Sequence, residues 1–506
     1  WSVLLIALTT SDAKPLDHVR QEVCNTEECK DAAKILISSM NTSVDPCENF
    51  YDFACGSWIQ NHPLPSNSTR WGQINVVKER VVTAVQDILS SGPDEDDHES
   101  LVMSKVFYKS CIDSDTMNNR GLKPLVKLLQ KYGGWPLIER KTWNPSNFNL
   151  PNVMSDIKQN LAMGVLLELA IEPDLKDAEK NVISIDQPTF FVTRAILLNP
   201  KMYKKQMNAY RALLWDVASA TNKILHPQKK LAPSYLAHKI EEIIGFETKL
   251  ANISAKEEDR SAVEVIYNPL TIDELQSQSD LVNVTSDHAR MNWLKFLQRF
   301  TKPMGGVGSS EVIIVKQPKY LQKLLTLLDE TPVETVANYV NWIVASALIP
   351  ETTDTMREAQ FRFDRINQGL KKRTNLVKKC SDFGLLSSYF PLGYAVGTKY
   401  IKTKFTPQSK HDVTEMVRHL KIAFKEMLET ADWLDEFTKS KALEKITAMK
   451  EFIGYPDWLT NDTAVNDYFH GLDIQHGKHF ENQIAILSWW TKKTIKQLRK
   501  PVDKNE

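Results

Sequence analysis

The residues of this chain best suited to chemistry are its thiols, a few histidines and one acidic run. Six cysteines occur, and four fall within 32 residues: Cys24-Asn-Thr-Glu-Glu-Cys29, then Asp45-Pro-Cys47-Glu-Asn-Phe-Tyr-Asp-Phe-Ala-Cys55-Gly-Ser-Trp58. Cys111 and Cys380 stand alone. Thiolates can hold zinc, but structural zinc sites set ligand pairs on tight turns with about two to four residues between them. Cys24 and Cys29 have four residues between them, Cys47 and Cys55 have seven, and no Cys-x-x-Cys or His-x-x-x-His pair follows. Disulfides are the better reading. In an oxidising compartment each pair closes a loop and removes entropy from the unfolded chain, whereas reduced thiols staple nothing.

The histidines offer no stronger chemistry. His98-Glu99 continues Ser-Leu-Val and supplies no second ligand, so the His-Glu-x-x-His of a zinc helix does not occur. His476-Gly-Lys-His479 places imidazoles at i and i+3, but Gly477 weakens the helix and no carboxylate base sits beside them, so a polar loop is expected. Asp94-Glu-Asp-Asp97 lacks the alternating spacing of a calcium loop and reads as a solvated loop closing the preceding helix. Gly-x-Ser-x-Gly, a phosphate-cradling loop and a dinucleotide fingerprint are all missing from the sequence. The paired Trp489-Trp490 reads as packing. Taken bare, these residues do not assemble an active site.

Trp1 to Leu8 is an apolar run closed by small residues, with Ser11 and Ala13 placed as a signal peptidase requires. It is shorter than the roughly 20 residues of a transmembrane helix. Because the chain opens on Trp, a longer signal anchor to the plasma membrane stays open. Five Asn-x-Ser/Thr sequons, at Asn41, Asn67, Asn252, Asn283 and Asn461, add to the expectation of a secreted glycoprotein. Lys+Arg and Asp+Glu balance at 63 each, so no overall field favours nucleic acid.

The expected elements are mostly helical, with minor β. Ile74, Val77, Val81, Val82, Val85, Ile88 and Leu89 form a helical stripe over Gly72–Leu89. Thr271-Ile-Asp-Glu274 is a capping box that opens another helix. Ala442, Ile446, Met449 and Ile453 predict a helix from Asp435 to Ile453, capped by Gly454 and stopped by Pro456. Lys371-Lys-Arg373 reads as an exposed helix face. Strand signals are strongest at Glu311–Lys316 and next at Asn181–Ile185.

Several segments carry a highly specific resemblance. They are Asp45-Pro-Cys47 with Phe50 to Trp58, Ser68-Thr-Arg-Trp-Gly72, Asn268 to Leu275, Trp433-Leu-Asp with Thr438 to Ala442, Ile453-Gly-Tyr-Pro-Asp457, and Leu498 to Lys504. Together they resemble the neprilysin and endothelin-converting-enzyme family of zinc metalloendopeptidases, over about Cys24 to Glu506. The resemblance implies a two-lobed ectodomain in which a large helical lobe caps a thermolysin-like catalytic lobe. It divides the chain into a partial signal peptide (1–13), a segment with the Cys24–Cys29 loop (14–45), the substrate-capping peptidase domain (46–457) and a connection (458–506) leading into a catalytic lobe absent from this sequence.

The same resemblance implies zinc in the full-length protein and none bound by this segment. It pairs Cys24 with Cys29 and Cys111 with Cys380, and assigns Cys47 and Cys55 partners in the absent lobe, the alternative being a Cys47–Cys55 bridge. Arg70 takes the position of an arginine that binds the substrate's C-terminal carboxylate, otherwise it is a surface salt-bridge residue. The partners implied are small bioactive peptides and the chain's own catalytic lobe. The function expected is the N-terminal part of a secreted peptidase, the segment itself being inactive. The alternatives are a truncated peptide-binding protein or a pseudoenzyme. Without its catalytic lobe, the capping lobe is expected to expose apolar surface.

Overall fold

A computed structural model describes residues 23–383 and 391–503. The expected signal peptide, residues 1–13, lies outside the described residues. The chain divides into two compact units, residues 1–73 and residues 74–506.

In the first unit, helices Glu27–Ser39 and Phe50–Asn61 pack together. Thr26 and Asn49 cap their N-termini, accepting hydrogen bonds from the Cys29 and Asp52 amides. The Asn41 amide donates to the Phe53 carbonyl at 2.7 Å, and the Ser57 hydroxyl donates to the Met40 carbonyl at 2.8 Å. A Cβ on Gly56 would meet Asn41 Cβ at 3.0 Å and Asp52 Oδ1, the end of a side chain on the same helix, at 2.4 Å. Glycine avoids that crowding at the crossing.

The second unit is a helical body around a small sheet. Its strands are β1 (Glu168–Pro173), β2 (Asn181–Asp186), β3 (Pro269–Thr271) and β4 (Val312–Val315), in the order β1-β2-β4-β3. The pairs β1–β2 and β3–β4 are antiparallel, while β2 and β4 run parallel with Ile183 opposite Ile313 and Ile185 opposite Val315. Val182, Ser184 and the two isoleucines of β2 are all buried, so both of its faces are covered. A parallel pair needs a crossover, and the helices between β2 and β4 supply it.

The expected strands at Asn181 and Glu311 are present, and β1 and β3 are additional. Thr271 forms the full capping box: its hydroxyl accepts from the Glu274 amide, and Glu274 accepts from the Thr271 amide. The first apolar stripe becomes helix Gln73–Ser90, with Val82, Val85 and Leu89 buried and Ile74 exposed. Two expectations are corrected. The helix expected to reach Ile453 ends at Ala448, because Met449 turns to extended backbone. Gly454, at φ 72°, therefore caps no helix but lets the chain pass the Phe405 ring, which a Cβ would meet at 2.9 Å. Lys371 to Arg373 are exposed, but they lie in the connection between helices Asp354–Gln368 and Leu376–Phe383.

Helix Val333–Leu348 is the centre of the core, with 13 of its 16 residues buried. A helix covered all round must find partners for its polar side chains or leave them unpaired at a cost. Here Asn338 Nδ2, Asn341 Oδ1 and the Tyr339 hydroxyl have no partner among the described residues, while the other amide atoms do. Asn338 Oδ1 accepts from the Leu137 amide at 2.7 Å, and Asn341 Nδ2 donates to the Gly134 carbonyl at 2.8 Å. Beside it, Trp342 Nε1 donates to the Tyr210 hydroxyl at 2.8 Å, which donates to Glu247 Oε2 at 2.6 Å. The Phe191 amide donates to Glu247 Oε1 at 2.8 Å.

Burial pushes the Glu247 carboxyl up to about 7 against these hydrogen bonds, while its unfolded value is near 4.5. The folded state then binds a proton more tightly than the unfolded chain. The stability this supplies is complete below about pH 4.5 and is lost as pH rises through about 7, by roughly 3 kcal/mol. Urea denaturation should accordingly show a lower midpoint at pH 8 than at pH 5. Glu247→Gln should flatten that difference at the cost of one acceptor.

Candidate functional site

Arg70 sits in the irregular segment that joins helix Phe50–Asn61 to helix Gln73–Ser90. The first helix ends where His62 stacks on Trp58, with ring centroids 4.4 Å apart and Nδ1 2.9 Å from the Trp58 carbonyl. A turn follows, in which the Ser68 amide donates to the Pro65 carbonyl at 3.0 Å. Arg70 is exposed, and among the described residues it makes no hydrogen bond or ion pair. The alternative of a surface salt bridge is thus not realised in this arrangement. An unpaired guanidinium keeps its planar fork for an incoming carboxylate.

Cys24 is bonded to Cys29, and Cys111 to Cys380. Cys47 and Cys55 are free, so the alternative bridge between them is not formed. Cys47 is exposed in an Asx turn, its amide donating to Asp45 Oδ1 at 2.8 Å, and Cys55 is half-buried on helix Phe50–Asn61. All five sequon asparagines are at least partly exposed.

Two sequence expectations about charged residues hold only in part in the second unit: Asp94, Glu95 and Asp96 are exposed in a loop and so is His476, but the last residue of each motif is not. His479 does not lie in a polar loop: it opens helix His479–Ile495 and is 2% exposed. Its Nε2 stands 2.8 Å from Glu351 Oε2, and Lys379 Nζ donates to Glu351 Oε1 at 2.8 Å. Burial alone would raise the Glu351 carboxyl, but Lys379 and His479 outweigh it and hold the group at about 2. An ionised carboxylate only accepts, so His479 Nε2 is the donor. Asp97, at the end of the acidic run, is likewise drawn inside. Its side chain is fully buried against Lys105 Nζ at 2.5 Å, and Lys399 lies at 3.5 Å. Burial raises this carboxyl, and the Lys105 hydrogen bond helps bring it below its usual range. The partners of Glu351 and Asp97 include residues far away in sequence, so no local pattern announces them.

Along helix His479–Ile495 runs a groove of about 800 Å³, lined by Trp489, Asn482, Lys492 and Lys493, with Tyr468 and His470 opposite. Trp489 and Tyr468 pack edge to face, with Lys493 over the Tyr468 ring. Trp489-Trp490 is thus packing, as the sequence suggests. Zinc does not fit the residues present: among the described residues no three His, Cys, Asp or Glu side chains converge as a metal-holding group. Among the same residues, no helix is long and apolar enough to cross a membrane.

The sequence profile described as Peptidase family M13 matches residues 46–456. The chain belongs to that family. It is 30% identical to Neprilysin-1 of Trittame loki over 98% of its length and 66% of the relative's. Against Neprilysin of Homo sapiens the identity is 27%, covering 96% of this chain and 64% of that one. The chain thus spans about two thirds of the length of these M13 relatives. Its fold matches the inhibitor-bound zinc metalloprotease of Mycobacterium tuberculosis at a TM-score of 0.72, with 18% identity over 93% of this chain and 65% of that one. PepO from Lactobacillus rhamnosis gives a TM-score of 0.70, with 17% identity over 92% of this chain and 67% of that one.

The cysteine assignment is open to direct measurement. Alkylation of the unreduced, denatured chain should label Cys47 and Cys55 alone, as read by peptide mass mapping. A label on Cys24, Cys29, Cys111 or Cys380 would contradict the pairing.

Proposed function

We propose that this chain is the substrate-capping part of a secreted M13 zinc metalloendopeptidase that hydrolyses small bioactive peptides, with Arg70 binding the peptide's C-terminal carboxylate. The observation that carries the reading is the exposed, unpaired guanidinium of Arg70 within a segment matched by the family. Family M13 is zinc-dependent, and among the described residues no His, Cys, Asp and Glu side chains converge as a metal-holding group, so the reading assigns the ligands to the part of the relatives' length that this chain does not span. Export is supported by the apolar start, the two disulfides and the five sequons.

Carboxylate capture by Arg70 fixes the register of a bound peptide. A bidentate, charge-assisted pair is worth about 2–3 kcal/mol, enough for a roughly 30- to 150-fold effect on affinity. It selects peptides with a free C-terminus over amidated ones. In a gene product that includes the zinc-binding remainder, Arg70→Met should lower kcat/KM for a free-acid peptide by about that factor and leave its amidated counterpart unchanged. Equal loss on both, or no loss, rejects the role of Arg70.

The 506-residue chain by itself should bind no stoichiometric zinc and cleave no peptide. Chelator-sensitive hydrolysis by this chain alone would overturn that expectation.

A further inference from the structure

Asn283, in the sequon Asn283-Val284-Thr285, is held more firmly than an exposed loop residue usually is. Its amide donates to the Asp280 carbonyl at 3.2 Å, closing the turn that ends helix Ile272–Asp280. Just beyond it, the Thr285 and Ser286 amides donate to Asp329 Oδ1 at 2.9 and 2.6 Å, which ties the loop to helix Pro318–Asp329. Asn283 itself adopts φ 54°, in the left-handed region, where asparagine is one of the few side chains tolerated. The backbone therefore fixes where its side chain leaves the chain. That side chain borders a groove of about 470 Å³, within the roughly 300–1,000 Å³ typical of ligand pockets. Among the described residues it makes no hydrogen bond. The polar rim of the groove is only half used. Asp280 accepts from Gln276 through Oδ1, leaving Oδ2, and Asn292 accepts from the Lys295 amide through Oδ1, leaving Nδ2. Val284, Met291 and Leu325 supply the apolar wall.

We propose that Asn283 carries an N-linked glycan whose first N-acetylhexosamine occupies this groove, an inference that rests on the export reading above. The chemistry of the lining matches that sugar. Its hydroxyls donate to Asp280 Oδ2, its acetamido carbonyl accepts from Asn292 Nδ2, and its acetyl methyl and ring face meet the apolar wall. The sugar arrives by transfer onto the sequon during export. Asn283 Nδ2 attacks C1 of a polyprenyl-diphosphate-linked oligosaccharide and loses a proton to base. The N–C1 bond forms as the C1–O bond breaks, and the diphosphate departs with the bonding pair. Contacts of this kind in an open groove hold a free sugar weakly. Tethered through Asn283, the same sugar is presented at an effective concentration at least on the order of millimolar, so a weak seat is filled. The neighbouring sequons offer less. Asn41 and Asn461 already spend their side-chain oxygens on the Ser43 hydroxyl and the Thr463 amide.

The test uses the full-length gene product, expressed with its own N-terminus in eukaryotic cells that add only high-mannose glycans labelled with carbon-13 in the acetyl groups. An endoglycosidase then trims every site to one N-acetylglucosamine. Peptide mass mapping should find Asn283 occupied. The acetyl methyl resonance that disappears in Asn283→Gly should belong to a rigid group, with an order parameter near about 0.85 rather than below about 0.6. Glycine suits the left-handed backbone better than asparagine, so a purely structural role predicts an unchanged or higher melting temperature for that variant. Loss of a seated sugar should instead lower it by about 2 °C. A mobile sugar at Asn283, or a melting temperature that does not fall, overturns the seat. An empty Asn283 in a secreted chain glycosylated at other sequons overturns the proposal and spares export. A chain retained in the cell with no sugar on any sequon sinks both.

Discussion

The second unit depends most on the buried carboxylate of Glu351. A charge taken out of water must be matched by donors, and among the described residues its side-chain donors come from two distant helices: Lys379 on Leu376–Phe383 and His479 on His479–Ile495. The carboxylate therefore dictates where both helices pack. The Cys111–Cys380 bond, one residue from Lys379, fixes the first of these helices to Glu99–Ile112. Phe107 of that same helix packs against the His479 ring, with centroids 5.7 Å apart. Four segments scattered over most of the sequence meet at a single ionised group.

The two buried glutamates act in opposite directions on pH. Glu351, held at about 2, supplies stability above the unfolded value near 4.5 that is lost as pH falls through about 2. Glu247, raised to about 7, supplies stability below about 4.5 that is lost as pH rises. Glu351 has cationic or donating side chains on both oxygens, whereas Glu247 has a phenol and one amide. The difference in partners, not in burial, sets the sign.

Legibility followed the range of the interaction. The Thr271 capping box and β4 could be read because their causes lie within a few residues: a hydroxyl three positions from a glutamate, and a β-branched run after flexible glycines. Arg70 could be named only through the family motif around it, since an isolated surface arginine carries no signal of its own. His479 and Asp97 were misread because their polarity is satisfied by Glu351 and by Lys105 with Lys399, and a solvated loop is the default for such residues. The helix from Glu436 was drawn too long because Met449 and Ile453 keep the helical period after the backbone has left the helix. Exposed apolar area was expected somewhere on the lobe but not located, and Met416, Leu420 and Met427 on helix Pro407–Glu429 are part of it.

The Cys111–Cys380 bond closes a loop spanning 269 positions, worth about 5 kcal/mol in the chain-entropy account. It also sets an order of events during synthesis. At about 5–20 residues per second, Cys111 waits roughly 15 to 50 seconds for its partner to be made. Throughout that interval four other thiols, at Cys24, Cys29, Cys47 and Cys55, have already left the ribosome ahead of it. The bond between Cys24 and Cys29 takes two of these four thiols out of competition for Cys111, leaving Cys47 and Cys55.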